Sequence, residues 1–140
     1  KQPWRGGHAT AGSPRRQSIW YFAEGATGPY FDLFLLLANP NEVPVTIAVR
    51  YLKQHGESVS QNYVVGARSR YTVWVDHIPK LEDTAVSMVV EVLDGPPVVA
   101  ERAMYWGPSP EWIDGHVSLG ASQLGTTWVS AGAATGERGA

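Results

Sequence analysis

The chain has 140 residues, 44% of them hydrophobic and 17% charged, which is typical of one globular domain with its own core and unlike a disordered protein. Its formal net charge of −2 disfavours nucleic acid as a partner, because nucleic-acid binding needs a clustered basic surface. Cysteine is absent, which excludes disulfide and thiolate chemistry, and no apolar run approaches the ~18 residues of a membrane span.

Alternating apolar residues predict a series of β-strands. In chain order, the predicted strands cover positions 20–23, 32–38, 45–52, 61–65, 70–75, 86–92 and 98–105, with another around Trp128. Turn residues separate the strands, as in Asn39-Pro40-Asn41, and helix is limited to a short turn near positions 78–83. The sequence therefore predicts an all-β fold, an immunoglobulin-like antiparallel β-sandwich of about seven strands.

The two ends of the chain resemble each other at a fixed offset of 108 residues. Nine of the 25 positions from Trp4 to Gly28 are identical in the second copy, without a gap. In the first copy these are Trp4, Gly7, His8, Gly12, Trp20, Ala23, Ala26, Thr27 and Gly28, and in the second copy Trp112, Gly115, His116, Gly120, Trp128, Ala131, Ala134, Thr135 and Gly136. Agreement of residues as rare as Trp and His at one offset indicates a tandem repeat.

The repeat divides the chain into three parts. Residues 20–127 form one complete β-sandwich repeat, residues 1–19 are the end of a preceding repeat or an N-terminal extension or strand, and residues 128–140 are the start of a degenerate next repeat or a C-terminal extension. Because residues 1–32 and 109–140 would compete for equivalent places on one sandwich, the surplus end is either disordered or adds a strand to the edge of a neighbouring copy. Strand exchange of this kind would produce a head-to-tail polymer.

Several segments resemble a known repeat. They are WYFAEGATG at positions 20–28, LLANP at 36–40, SRYTV at 69–73, VAERAMYW at 99–106 and Gly-His at 115–116. Together they resemble the tandem β-sandwich repeats of large secreted or surface proteins of actinobacteria and Chloroflexi, over nearly the whole chain. The resemblance implies a β-sandwich, export and a tandem arrangement, and it implies no activity; the degenerate second copy departs from the pattern. We therefore expect a bacterial protein that is extracellular or on the cell surface.

The charged residues of most interest are Glu24, Glu101 and Arg102. Adjacent residues of a strand point to opposite faces, so we expect either Glu101 or Arg102 to face inward. A structural ion pair between Glu24 and Arg102 would compensate a buried charge, which is costly when it is alone. Paired carboxylates could also serve as a glycosidase acid and base, but no cleft-forming loops accompany them. We therefore predict an ion pair, no catalytic residues and no enzyme activity.

The sequence also lacks patterns for metals and cofactors. The histidines at positions 8, 55, 77 and 116 do not have the close spacing of a two-ligand metal site. Aspartates are scattered singly, which leaves calcium conceivable only at a repeat junction, and no phosphate-binding loop is present. We predict no metal and no cofactor, and we expect His8 and His116 to be loop residues that bind the backbone.

The chain is rich in aromatic residues, with six Trp and six Tyr. Trp20, Tyr71 and Tyr105 fall on predicted core faces, whereas Trp74 and Trp106 are harder to bury. Exposed aromatic rings can stack on sugars or can pack against the next repeat.

These observations predict a structural or adhesive module of an extracellular bacterial repeat array or head-to-tail fibre. Its partners would be copies of itself or neighbouring repeats, and its junction candidates are Trp4, His8, Trp20, Trp112, His116 and Trp128. The alternative is a carbohydrate- or surface-binding module that uses exposed aromatic rings, with a glycan as partner.

Overall fold

The structure is a computed structural model that describes residues 8–107 and 112–129. These residues form eight strands: β1 (Ile19–Phe22), β2 (Phe31–Asn39), β3 (Val45–Lys53), β4 (Ser58–Val65), β5 (Ser69–Trp74), β6 (Val86–Asp94), β7 (Val99–Trp106) and β8 (Asp114–Leu119). They make two antiparallel four-stranded sheets, in the orders β1-β6-β3-β4 and β5-β2-β7-β8. The predicted all-β antiparallel sandwich is confirmed, and β1 to β7 lie where the sequence predicts strands.

The core lies between the sheets and follows the period-2 alternation of the strands. In β2, Leu33, Leu35 and Leu37 are fully buried, while the residues between them point to the other face of the sheet. Trp20 on β1 joins this core and is only 2% exposed, and its Nε1 donates a hydrogen bond to the Val98 carbonyl at 3.1 Å. Burying such a side chain removes an aromatic ring from water while its one polar atom keeps a partner.

The predicted turn after β2 also fastens the two sheets. Asn39 is buried, and its side-chain amide donates to the Val65 carbonyl at the end of β4, which belongs to the other sheet. Its Oδ1 accepts from the Asn41 side chain, which in turn donates to the Pro97 carbonyl just before β7. The polar groups of this turn are therefore satisfied inside the sandwich.

The structure differs from the prediction in its last strand. β8 lies at positions 114–119, and residues 122–129 contain no strand around Trp128. β8 begins with Asp114 and Gly115, which are depleted in strands, so no apolar alternation marks it. It forms because it pairs along β7, with Gly115 opposite Tyr105.

Two smaller predictions were also wrong. The described residues contain two 3-10 turns, one at Gln54–Gly56 and one at Val75–His77 directly after β5, and neither lies at positions 78–83. Tyr105 lies on the outer face, because it is opposite Asp32 and not opposite a buried leucine. Tyr71 is on the predicted core-facing side, opposite the buried Leu37, but it is 45% exposed because β5 is an edge strand.

The two repeat-equivalent tryptophans have opposite environments. Trp20 is 2% exposed, whereas Trp128 is 69% exposed and its Nε1 donates to the Gly125 carbonyl three residues earlier. The main chain of Ala121 pairs with that of Tyr21, so the sandwich is complete before the second copy of the tryptophan is reached.

This contrast predicts different costs for the same substitution. Trp20→Ala should lower the free energy of unfolding by ~3–5 kcal/mol, because it leaves a cavity in the core. Trp128→Ala should change it by less than about 0.5 kcal/mol, because the side chain is mostly in water. Urea unfolding followed by circular dichroism measures both, and equal losses would show that both tryptophans are part of one core.

Candidate functional site

Arg102 on β7 is the centre of a polar network in the sandwich. It is 5% exposed, and its Nη1 lies 2.8 Å from Glu24 Oε2 and also donates to the Glu24 carbonyl. Its Nε lies 3.3 Å from Ser118 Oγ on β8. The structure therefore brings together the two residues of the predicted ion pair, with the arginine buried and the Glu24 side chain 68% exposed.

His116 on β8 completes this network. Arg102 Nη2 lies 3.1 Å from His116 Nε2, and because arginine can only donate, the histidine nitrogen has to accept. Burial lowers the pKa of His116 and the neighbouring charge of Arg102 lowers it further, while Glu24 acts in the opposite direction. His116 is therefore a neutral acceptor near neutral pH, it lies on a strand and not in the predicted loop, and its side-chain partner is Arg102.

The network closes one edge of the sandwich. Glu24 follows β1, the edge strand of one sheet, and β8 is the edge strand of the other, so Arg102 connects the two. The ring of His8, the repeat equivalent of His116, lies 5.7 Å from the His116 ring. The two copies of this histidine thus meet where the first and last segments of the sandwich come together.

An open groove of about 650 Å³ lies beside the network. Arg102 and Glu24 line part of it, and its other walls are mainly apolar side chains, among them Phe22, Leu52, Val89, Leu119, Leu124 and Trp128. Leu124 and Trp128 come from the segment after β8 and are mostly exposed. One wall of the groove is therefore formed by side chains that are themselves mostly in water.

A second cluster lies on the outer face of the β5-β2-β7-β8 sheet. We call it the aromatic platform: the rings of Phe34, Trp74, Tyr105 and Trp112 around the carboxylate of Asp32. Trp74 Nε1 donates to Asp32 Oδ1 at 3.1 Å, and Trp112 Nε1 donates to Asp32 Oδ2 at 2.6 Å. Trp112 stacks on Tyr105 with ring centroids 4.8 Å apart and an interplanar angle of 24°.

The strand register explains why these residues meet. Phe34 is opposite Trp74 and Asp32 is opposite Tyr105, so all four lie on one face of three neighbouring strands. On β8, a Cβ atom at Gly115 would collide with the Tyr105 ring, so this position has to be glycine for the ring to lie over the strand. Sequence reasoning missed Asp32 and Phe34 as site residues, although both alternate with the buried leucines of β2.

The predicted junction residues that the structure describes are thus divided among four places, and His8 lies beside His116. Trp20 is in the core, Trp112 is in the aromatic platform, and His116 is in the Arg102 network. Trp128 lines the groove, and Trp4 lies outside the described residues.

The described parts of the chain, 8–107 and 112–129, contain no group of three His, Cys, Asp or Glu side chains that could hold a metal ion. Among the same residues, no helix has the length and apolar character needed to cross a membrane.

The fold is similar to that of solved structures. The crystal structure of Thermotoga maritima 1070 gives a TM-score of 0.68 at 14% identity, over 79% of this chain and 98% of that one. The Anabaena sensory rhodopsin transducer gives a TM-score of 0.53 at 20% identity, over 65% of this chain and 91% of that one. Identities this low show a shared fold alone. No protein-family model matches the chain, and a search of curated proteins gave no match.

The asymmetry of the ion pair predicts the effect of removing its carboxylate. Glu24→Ala should lower the free energy of unfolding by ~1–3 kcal/mol, since it leaves a buried guanidinium with one charged partner fewer. The matched control is Glu42→Ala, because Glu42 pairs with Arg68 at 3.0 Å on the open surface, where such a pair contributes ~0–1 kcal/mol. Chemical denaturation compares the two, and a Glu24 effect no larger than that of Glu42 would contradict a structural role for the pair.

The lowered pKa of His116 predicts a pH dependence of stability. Below the ordinary histidine pKa of about 6.5, the unfolded chain takes up a proton that the folded protein resists. The free energy of unfolding should therefore have its full value, as far as His116 is concerned, above pH ~6.5. It should decrease as the pH falls from there through the lower pKa of His116 in the folded state.

His116→Gln keeps an acceptor for Arg102 but removes the titration, so its unfolding free energy should vary less between neutral and mildly acidic pH. His55→Asn is the control, because His55 is exposed in a hairpin turn at φ 66°, which asparagine tolerates. A pH dependence that His116→Gln leaves unchanged would assign it to other groups.

Proposed function

We propose that this chain is a structural or adhesive module of an extracellular bacterial repeat array, joined end to end to copies of itself or to neighbouring repeats, and not an enzyme. The observation that carries the proposal is the pair of equivalent tryptophans. Trp20 fills the core of the sandwich, and 108 residues later Trp128 stands outside it, 69% exposed. A second copy of a core residue that has no core of its own is what a tandem array predicts at the start of the next unit.

The residues around Trp128 support a junction. Leu124, Trp128 and Val129 are all mostly exposed and lie within six residues of one another, directly after the sandwich has been completed at Ala121. Clustered exposed apolar side chains are typical of surfaces that another protein unit covers. The contact between the rings of His8 and His116 further supports a junction at this edge.

Comparison of residues 128–132 with the equivalent residues 20–24 indicates how neighbouring units join. If residues 128–132 replaced β1 in an intact copy, Ser130 would take the place of Phe22, which is almost fully buried. Gly132 would take the place of Glu24 and leave Arg102 without its carboxylate. Losing a buried aromatic ring alone costs ~3–5 kcal/mol, so we propose docking of the surplus end on a neighbour and not exchange of β1.

The polar network supports a structural role for its residues. Each of the three side-chain nitrogens of Arg102 already has a partner within the protein. Ser118 and His116 are held by the same guanidinium, so the network stabilises the edge between β1 and β8. The extracellular location is supported by the resemblance of the sequence motifs to repeats of exported proteins.

The assembly state of the purified chain tests this proposal. Sedimentation velocity over a wide range of concentrations should show end-to-end association, and electron microscopy should show linear assemblies. Association should weaken when residues 128–140 are removed, and it should weaken with Trp128→Ala, because the exposed indole contributes apolar area to the junction.

Trp112→Ala is the matched control, since Trp112 is also exposed but lies in the aromatic platform on the opposite face of the sandwich. A chain that stays monomeric at all concentrations would contradict the proposal. So would association that persists unchanged without residues 128–140.

A further inference from the structure

We propose that the aromatic platform is a binding site for uncharged sugar rings of a glycan. The inference goes beyond the proposed assembly role, because it concerns the other face of the sandwich and a ligand of another class. It rests on the geometry of Asp32, Trp74, Tyr105 and Trp112, with Phe34 beneath them.

Trp112 is the residue of the platform whose indole is most open to solvent. Tyr105 covers one face of the Trp112 ring at 4.8 Å, and Trp112 is nevertheless 48% exposed, which leaves part of the indole in contact with solvent. Sugar rings in the pyranose form present one face of C–H groups, which is complementary to the negative face of an indole. Trp74 lies on the other side of Asp32 and is also partly exposed, but His77 stacks on its ring with centroids 4.0 Å apart, so Trp112 is the stacking residue of the proposed site.

Asp32 supplies the polar part of the site. A carboxylate has about four acceptor positions, and the two indole N–H groups occupy one on each oxygen. The remaining positions can accept hydrogen bonds from the hydroxyl groups of a sugar that stacks on the neighbouring indole. The negative charge of Asp32 would repel uronic acids, sialic acids and phosphorylated sugars, and this indicates an uncharged glycan.

The platform is held in place before any ligand arrives. Both indoles are anchored to the same carboxylate, and Phe34 contacts Trp112 edge-to-face with ring centroids 6.4 Å apart. Side chains that are already ordered lose little conformational entropy on binding, which favours recognition of a weakly binding ligand such as a sugar.

The platform also remains open in the proposed array. The groove next to Trp128 is lined by Leu52 and Val89, which point outward from the β1-β6-β3-β4 sheet, whereas the platform is on the outer face of the other sheet. Trp112 matches Trp4 at the 108-residue offset, so successive units would each carry a tryptophan at this position. An array with one site in each unit would bind a long glycan more tightly than a single unit does, and this point alone rests on the proposed array.

Binding of the full chain to defined oligosaccharides tests the inference. The probes are uncharged hexasaccharides of glucose, mannose, galactose, xylose and N-acetylglucosamine, with hexagalacturonate as the acidic comparison, and the readouts are an array and isothermal titration calorimetry. We expect at least one uncharged probe to bind and hexagalacturonate not to bind. Trp112→Ala should weaken binding about tenfold, while Trp128→Ala should leave it unchanged.

Asp32→Asn gives a second, independent readout. It removes the negative charge and leaves one acceptor oxygen, so one of the two indoles loses its partner. The readout is therefore the ratio of the two affinities, and the preference for the uncharged probe over hexagalacturonate should fall. Failure of every uncharged probe to bind would overturn the inference, and so would equal losses from Trp112→Ala and Trp128→Ala. If Trp112→Ala instead reduced self-association without any glycan binding, the platform would be assigned to a second copy of the chain. Assembly through residues 128–140 is measured separately, so either proposal can fail alone.

Discussion

A buried arginine determines how this sandwich closes. Placing an unpaired guanidinium among apolar side chains would cost about 5 kcal/mol. Its partners come from both sides of one edge: Glu24 follows β1 in one sheet, and His116 and Ser118 are on β8 in the other. The first and last strands of the unit are therefore specified together, because the arginine is satisfied only when both are in place.

This constraint distinguishes between the two copies of the repeated segment. Both contain the tryptophan that can fill the core, but only the first also has Phe22 and Glu24, where the second has Ser130 and Gly132. The first copy thus supplies apolar volume and a carboxylate that the second cannot. The degeneracy of the second copy has a physical consequence, since it leaves Trp128 outside the sandwich and available for contact with a neighbouring unit.

The sequence was informative where one strand's own alternation decides the outcome. The adjacency of Glu101 and Arg102 in a strand predicted that one of the two faces inward, and the cost of a buried charge predicted a pair such as Glu24 with Arg102; the structure shows that Arg102 is the inward residue. β8 could not be found in this way, because Asp114 and Gly115 are stabilised by pairing with β7 and not by their own propensity. The aromatic platform depends on the register of β2 against β5 and β7, which brings Asp32, Trp74 and Tyr105 to one face; one sequence read along the chain does not contain that register.

Hydrogen exchange at the two indole N–H groups tests the central claim, that the first copy alone occupies the core. With assigned Trp Nε1–H resonances, the Trp20 signal should exchange only through global unfolding, since it is buried and bonded to the Val98 carbonyl. The Trp128 signal should exchange almost as fast as a free indole in the monomer. Similar, intermediate protection of both signals would show that the two copies share one place in the core, and would contradict the account.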